Sequence, residues 1–195
     1  MNQSLRIAIV EDEPRTLEFL QDAVTELGHE VVALAKDGEE LVVRCREAHP
    51  DLVITDILMP GMDGLEATQK IGGEDPIPVI VVSTHHDSEL IERALDNHVL
   101  AYLVKPIQEG ELKTAIALVT RRFKEFQALQ QQADDMRQAL EDRKLVERAK
   151  GIIMKRAGVG EQDAFSQLQK LASNKNQKMV EIARMIVAAE EAFQA

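Results

Sequence analysis

The sequence is short of the residues that mark secreted, membrane-bound or base-stacking proteins. Its one cysteine, Cys45, excludes a disulfide framework and a cysteine-based zinc site, and suits a reducing compartment. With no tryptophan, one tyrosine and five phenylalanines, a platform of several aromatics for stacking nucleobases is not expected. No apolar run approaches the roughly 18 residues that a membrane helix needs. The chain passes from Met1-Asn2-Gln3-Ser4 into Leu5–Val10 and then into acids, which is not a signal-peptide pattern, so a cytoplasmic location and no membrane partner are expected.

What is present suffices for a core. The chain has 195 residues, 45% of them hydrophobic and 29% charged, which points to one or two domains. The net charge of −11 is unevenly spread. Residues 1–120 carry 9 basic and 23 acidic side chains, and residues 121–195 carry 14 and 11. An acidic front and a mildly basic rear suggest two domains with different partners, and only the rear suits an anion.

The front alternates strand-like and helix-like segments. Strands are expected at 5–10, 30–36, 51–55, 78–83 and 101–104, and helices at 15–27, 38–48, 64–71, 88–97 and from 108 onward. Nearly unbroken Val and Ile in the strands predicts a doubly wound five-stranded parallel sheet covered on both faces. Ligands then sit beyond the carboxyl ends of the strands. From Leu112 the pattern changes. Apolar or small residues recur at 112, 115, 119, 126, 129, 133, 136 and 140, missing only at Arg122, and neither Gly nor Pro interrupts 111–148. This spacing predicts a long helix with a coiled-coil seam, through which two chains pair as a homodimer or which packs on its own chain. The last 55 residues predict a small all-α domain of three short helices, with breaks at 158–160 and 173–177. The expected division is 1–121, a linker helix over 122–140, and 141–195.

Three carboxylates fall at strand ends, Glu11 and Asp12 after the first strand and Asp56 after the third. Two unit charges 4 Å apart repel by about 4 kcal/mol at an effective dielectric near 20. A hard cation with oxygen ligands, such as Mg2+, makes such a cluster tolerable. Lys105 brings an ammonium to the same edge, and Ser83 a hydroxyl. An aspartate nucleophile, a divalent metal and a lysine together make a phosphoryl-transfer site.

Residues 1–121 resemble the flavodoxin-like receiver domain of two-component response regulators. The resemblance is carried by Ile9-Val10-Glu11-Asp12, Asp51–Asp56, Met59-Pro60-Gly61-Met62-Asp63-Gly64, Pro78–Ser83 and Tyr102-Leu103-Val104-Lys105-Pro106. It implies phosphorylation of Asp56 by a sensor histidine kinase. It also implies Mg2+ held by Asp12, Asp56 and the main-chain carbonyl of Leu58 with Glu11 in support, Ser83 and Tyr102 as switch residues, and a cis Lys105–Pro106 bond. Thr84 departs from the family, where a small residue usually follows the switch hydroxyl. His85 and His86, next along the chain, suit a polar loop, or contact with an incoming donor phosphohistidine or a metal.

Residues 143–156 hold Arg143, Lys144, Arg148, Lys150, Lys155 and Arg156 against Glu147 alone. Lys144, Arg148 and Lys155 share one helix face. Such a footprint suits a phosphate backbone, or is simply a solvated face. The tail also resembles the ANTAR domain of transcription antitermination regulators. Arg148–Met154, Glu161–Phe165, Leu168, Leu171-Ala172 and Ile182-Ala183 carry that likeness, while Ser173 stands where the family usually has Met. The resemblance implies binding to paired stem-loops in nascent leader RNA, with Lys144, Arg148, Lys150 and Lys155 as candidate contacts. The expected protein is a regulator rather than an enzyme. Its rivals are a DNA-binding regulator, a tail that docks on a protein, and a tail that merely dimerises.

Overall fold

Alternating side chains on the strands sort the first half of the chain into two apolar layers. The strands are β1 (Arg6–Val10), β2 (Glu30–Ala35), β3 (Leu52–Thr55), β4 (Val79–Ser83) and β5 (Val99–Val104). Between them run α1 (Pro14–Glu26), α2 (Gly38–Ala48), α3 (Gly64–Gly72) and α4 (Ser88–Leu95), and α5 (Glu109–Ala157), α6 (Glu161–Lys175) and α7 (Met179–Gln194) follow. The computed structural model describes residues 4–72, 76–84, 88–95 and 99–194. It divides into two units, Met1–Gln127 and Ala128–Ala195, and the division falls inside α5.

All strand pairs in the first unit are parallel, in the order β2-β1-β3-β4-β5. Ala8 and Val10 of β1, Val53 of β3 and Val79 and Val81 of β4 pack with Leu41 of α2 and Leu65 of α3. Their neighbours Ile7, Ile9, Leu52, Ile54, Ile80 and Val82 pack instead with Leu20 and Val24 of α1 and Leu112, Ile116 and Val119 of α5. The two-residue period of a strand thus serves both faces, and each fully buried Val, Ile or Leu contributes about 1.5–3 kcal/mol.

Local chemistry starts the helices. Pro14 opens α1, where its missing N–H costs nothing. Asp37 accepts from the Glu40 N–H at 2.8 Å while Glu40 accepts from the Lys36 N–H at 3.0 Å, capping α2 reciprocally. Asp63 caps α3 by accepting from the Glu66 N–H at 2.7 Å.

Several expectations are corrected. β5 begins at Val99 rather than 101, because Val99 pairs with Val79 of β4 ahead of an irregularity that leaves Leu100 without a register partner. The described part of α4 ends at Leu95, and 96–97 lie outside the described residues. The seam positions Leu112, Ala115 and Val119 do not face a second chain, since they are buried against the first unit's own sheet. Exposed seam residues start at Phe126 and continue through Leu129, Met136 and Leu140. The first helix of the tail is no separate element, because α5 runs unbroken through Gly151 to Ala157. One glycine costs a helix only about 1 kcal/mol, which the packing of Leu145, Ala149, Ile152 and Ile153 outweighs. The second tail helix also outlasts the expected break at 173. It ends at Lys175, capped by Asn176, whose left-handed backbone (φ 51°) lets its N–H bond the Ser173 carbonyl at 3.1 Å.

In the second unit Ala149 of α5, Leu168 and Ala172 of α6, and Ile182, Ala183 and Val187 of α7 form the buried core. Among the described residues no helix is long and apolar enough to cross a membrane.

Candidate phosphoacceptor site and cationic helices

The sheet order reverses at β1, whose neighbours are β2 and β3, so a crevice opens beyond the carboxyl ends of β1 and β3. Three backbone hydrogen bonds extend the ladder one residue past the strands. The Glu11 N–H donates to the Ala35 carbonyl at 3.1 Å, the Asp56 N–H to Val10 at 3.1 Å and the Lys105 N–H to Ser83 at 3.0 Å. Glu11, Asp56 and Lys105 are therefore held by the sheet itself rather than by free loops. The Lys105–Pro106 bond is cis, as expected.

The side chains converge. Lys105 Nζ donates to Asp56 Oδ2 at 2.6 Å and to Glu11 Oε1 at 2.9 Å. Asp56 Oδ1 accepts from the Ile57 N–H at 2.6 Å and from the Leu58 N–H at 3.3 Å. Asp12 is exposed, and its carboxylate lies with those of Glu11 and Asp56 in one cluster whose oxygens are within 4.8 Å of one another. At that spacing a charge pair repels by about 3 kcal/mol at an effective dielectric near 20, and Lys105 offsets only part of the total. Burial pushes the Glu11 carboxyl up from its ordinary pKa, against the pull of Lys105. Burial acts to lower the Lys105 ammonium, but Asp56 and Glu11 outweigh it and hold its pKa above the ordinary value.

Glu11 Oε2 is fully buried and accepts no hydrogen bond among the described residues. Lys105 Nζ is 2.7 Å away, close enough for charge attraction but outside hydrogen-bond geometry. A buried carboxylate oxygen without a donor, beside two further carboxylates, is the donor set a hard divalent cation takes. The residues present thus fit Mg2+.

Ser83 is buried at the end of β4, Tyr102 is half-buried against the α2–α3 layer, and Leu58 is exposed beside Asp56. Thr84 is exposed. His85 and His86 lie outside the described residues. Two further contacts escaped the sequence. Gly64 lies so close to the Asp56 carbonyl that an added Cβ would stand 1.9 Å from its oxygen. Arg93 of α4 pairs with Asp63 at 2.5 Å, tying α4 to the loop behind Asp56. Gly64 closes the Met59–Gly64 motif, but a close approach is invisible without the partner backbone.

In the second unit the cationic face of α5 is less free than its sequence implies. Lys144 pairs with Glu141 at 2.7 Å, Arg148 with Glu191 at 2.8 Å and Arg156 with Glu190 at 2.6 Å. Arg156 also lies 5.6 Å from the ring centroid of Phe193. Lys150, a candidate RNA contact, is buried. Its ammonium sits between Glu161 at 2.7 Å and Glu147 at 2.9 Å, which hold its pKa above the ordinary value and pull Glu161 below its own. Helix periodicity explains this, since Lys150 turns toward α6 while Lys144, Arg148 and Lys155 point elsewhere. Lys155 is exposed and makes no ion pair among the described residues.

A five-stranded parallel sheet in this order, with an acidic cluster and a lysine at its carboxyl edge, defines a receiver. The chain belongs to the response regulators, its residues 7–117 matching the response regulator receiver domain and 126–187 the ANTAR domain. It is 38% identical over 93% of its length, and 89% of the relative's, to the transcriptional regulatory protein PdtaR of Mycobacterium tuberculosis. Among solved structures it is similar to the signal receiver domain of a modulated diguanylate cyclase from Desulfovibrio desulfuricans. That likeness has 27% identity and a TM-score of 0.59, and covers 63% of this chain and 98% of that one. It is also similar to a chain of the CheX–CheY complex with beryllofluoride and magnesium from Borrelia burgdorferi. There the identity is 28% and the TM-score 0.54, covering 57% of this chain and 85% of that one.

Proposed function

We propose that this response regulator is phosphorylated on Asp56 by a sensor histidine kinase and that its helical tail binds stem-loops in nascent RNA, causing transcription antitermination. The observation that carries the proposal is the Asp56 carboxylate, braced by two backbone N–H groups and Lys105, in one chain with an ANTAR domain. An Asp56 oxygen attacks the phosphorus of a phosphohistidine. The new P–O bond replaces the P–N bond, and the imidazole leaves with the electron pair. Lys105, already on Asp56 Oδ2, is within reach of a phosphoryl oxygen and neutralises its charge. Asp12, Asp56 and the Leu58 carbonyl, with Glu11 behind them, would hold Mg2+, which supplies charge neutralisation on the phosphoryl oxygens. Its presence in the similar CheY complex supports that assignment.

Ser83 and Tyr102 sense the phosphoryl group, and the change passes to α5. The exposed stripe Phe126, Leu129, Met136 and Leu140 pairs two chains as a homodimer. Two tails so joined bind two linked stem-loops with a gain in effective concentration, Lys144, Arg148 and Lys155 contributing cations from α5 and Lys150 bracing it against α6. The working location is cytoplasmic, and the role is that of a regulator rather than an enzyme. The test is binding of a two-hairpin RNA by the full chain in Mg2+, with and without beryllofluoride. Tighter, salt-sensitive binding with the mimic is expected. Preference for duplex DNA, or binding indifferent to salt, would replace RNA by DNA or by a protein partner.

A further inference from the structure

The second unit carries 11 basic and 10 acidic side chains between residues 128 and 195, a net charge of only +1. A polyanion gains little from so balanced a surface unless the charges are unevenly placed. They are. Five of the seven cations of α5 beyond residue 128 already face a carboxylate: Arg137, Lys144, Arg148, Lys150 and Arg156. By contrast, no acid occurs from Ala164 to Val180, a stretch that contains Lys170, Lys175 and Lys178. None of those three lysine side chains forms an ion pair among the described residues.

The corner joining α6 to α7 concentrates this free charge. Residues 173–178 are all exposed. The backbone is tied, because the N–H of Asn176 donates to Ser173 at 3.1 Å and that of Gln177 to Ala172 at 3.0 Å. The Lys178 N–H donates to Glu181 at 3.2 Å, which employs that carboxylate as a helix cap. The turn is therefore held in one shape while the side chains of Asn174, Lys175, Asn176, Gln177 and Lys178 make no hydrogen bond among the described residues. Two ammonium groups and three amides, with no apolar anchor among them, lack the hydrophobic centre a protein interface needs. They match phosphates and the exposed base edges of a hairpin loop.

We infer that this corner, with Lys175 and Lys178 on phosphates and Asn174, Asn176 and Gln177 beside the loop bases, is an RNA-contacting surface, an inference resting on the RNA-binding function proposed above. The charge face of α5 is largely satisfied within the protein, and the corner supplies charge that is not.

The test uses the full chain in Mg2+ and beryllofluoride with a pool of tandem stem-loop RNAs carrying randomised loops. Affinity is measured across a salt series for wild type, K175Q/K178Q and a charge-matched control, K113Q/K124Q, in the first unit. Each lost phosphate contact removes about 0.7–0.9 from the slope of log K against log salt. K175Q/K178Q is thus expected to flatten the slope by about 1.5 and to weaken binding tens of fold near 0.1 M salt, with the control near wild type. All three should melt alike, since these side chains are exposed and unbonded. Equal behaviour of K175Q/K178Q and the control, with wild type binding, overturns this inference and leaves the RNA function intact. Failure of wild type to bind any RNA in the pool removes both.

Discussion

Replacing Gly64 by alanine tests how the fold positions Asp56. Gly64 opens α3, and its N–H donates to the Ile57 carbonyl at 3.0 Å. An added Cβ would lie 1.9 Å from the Asp56 carbonyl oxygen and 2.2 Å from Thr55 Oγ1. Carbon does not approach such atoms within about 3.0 Å, so the groups must part by at least 1.1 Å. The obstacle is backbone and a buried hydroxyl that itself bonds the Asp56 carbonyl at 2.6 Å, so neither yields by a rotamer change. Overpacking of this kind costs about 1–3 kcal/mol, against roughly 6–19 kcal/mol for a domain of this size. G64A should therefore fold, with a Tm lower by about 4–12 °C. Metal ligation tolerates only about 0.2 Å, so a displacement of about 1 Å at Asp56 should weaken Mg2+ and beryllofluoride binding at least tenfold. Tyr102 is the one tyrosine and there is no tryptophan, so its fluorescence, with melting curves, reports both quantities. G61A is the comparison. Gly61 has φ 78° and open space around an added Cβ, so alanine there costs about 1–2 kcal/mol of backbone strain but does not press on Asp56. Unchanged Mg2+ affinity in G64A, or equal losses in both variants, would refute the close-contact reasoning.

The remaining predictions concern other parts of the chain. L168A empties a fully buried site in the small second core and should cost about 3–5 kcal/mol, a large share of the roughly 3–10 kcal/mol such a unit has. Urea unfolding followed by hydrogen exchange should then show α6 and α7 open while β1–β5 stay protected, and RNA binding lost while beryllofluoride binding remains. L129E/M136E charges the exposed stripe of α5, and sedimentation should show a monomer under conditions where the proposed pairing makes wild type with beryllofluoride a dimer. Partial burial lowers the His29 pKa from its ordinary value, and its Nδ1 accepts the Leu5 N–H at 3.2 Å. Its folded pKa lies below the unfolded value near 6.5, so the stability it confers is full above that value and drains as pH falls through the folded pKa. H29Q should lose the part of the acid sensitivity that lies below about pH 6.5, read as Tm against pH.

Much of the receiver is legible in the sequence because its signals are local or periodic. Unbroken Val and Ile runs announce strands buried on both faces, and the strand ends alone put Glu11, Asp12, Asp56 and Lys105 at one edge. The helical region is less legible. Spacing over 112–140 reads as one continuous seam, since a 3-4 pattern does not reveal what covers it. The structure splits it into a part buried on the first unit's sheet and an exposed part beyond. Charge misleads for the same reason. Lys150 looks like its neighbours in sequence, and only the approach of α6 places Glu161 against it.

The sequence by itself determined the elements, their alternation, the sheet class and the chemistry of the acidic edge, because these depend on side-chain type and on periods of two or 3.6 residues. Only the tertiary structure decided which polar groups are already satisfied: that Glu11 Oε2 has no donor among the described residues, that Gly64 has no room for a methyl group, that Arg148 and Arg156 of α5 face acids of α7, and that the lysine side chains of the corner at Asn176 form no ion pair among the described residues. The physical reason is common to all four. Each depends on the distance between groups far apart in the chain, and electrostatic and steric energies follow that distance rather than position in the sequence.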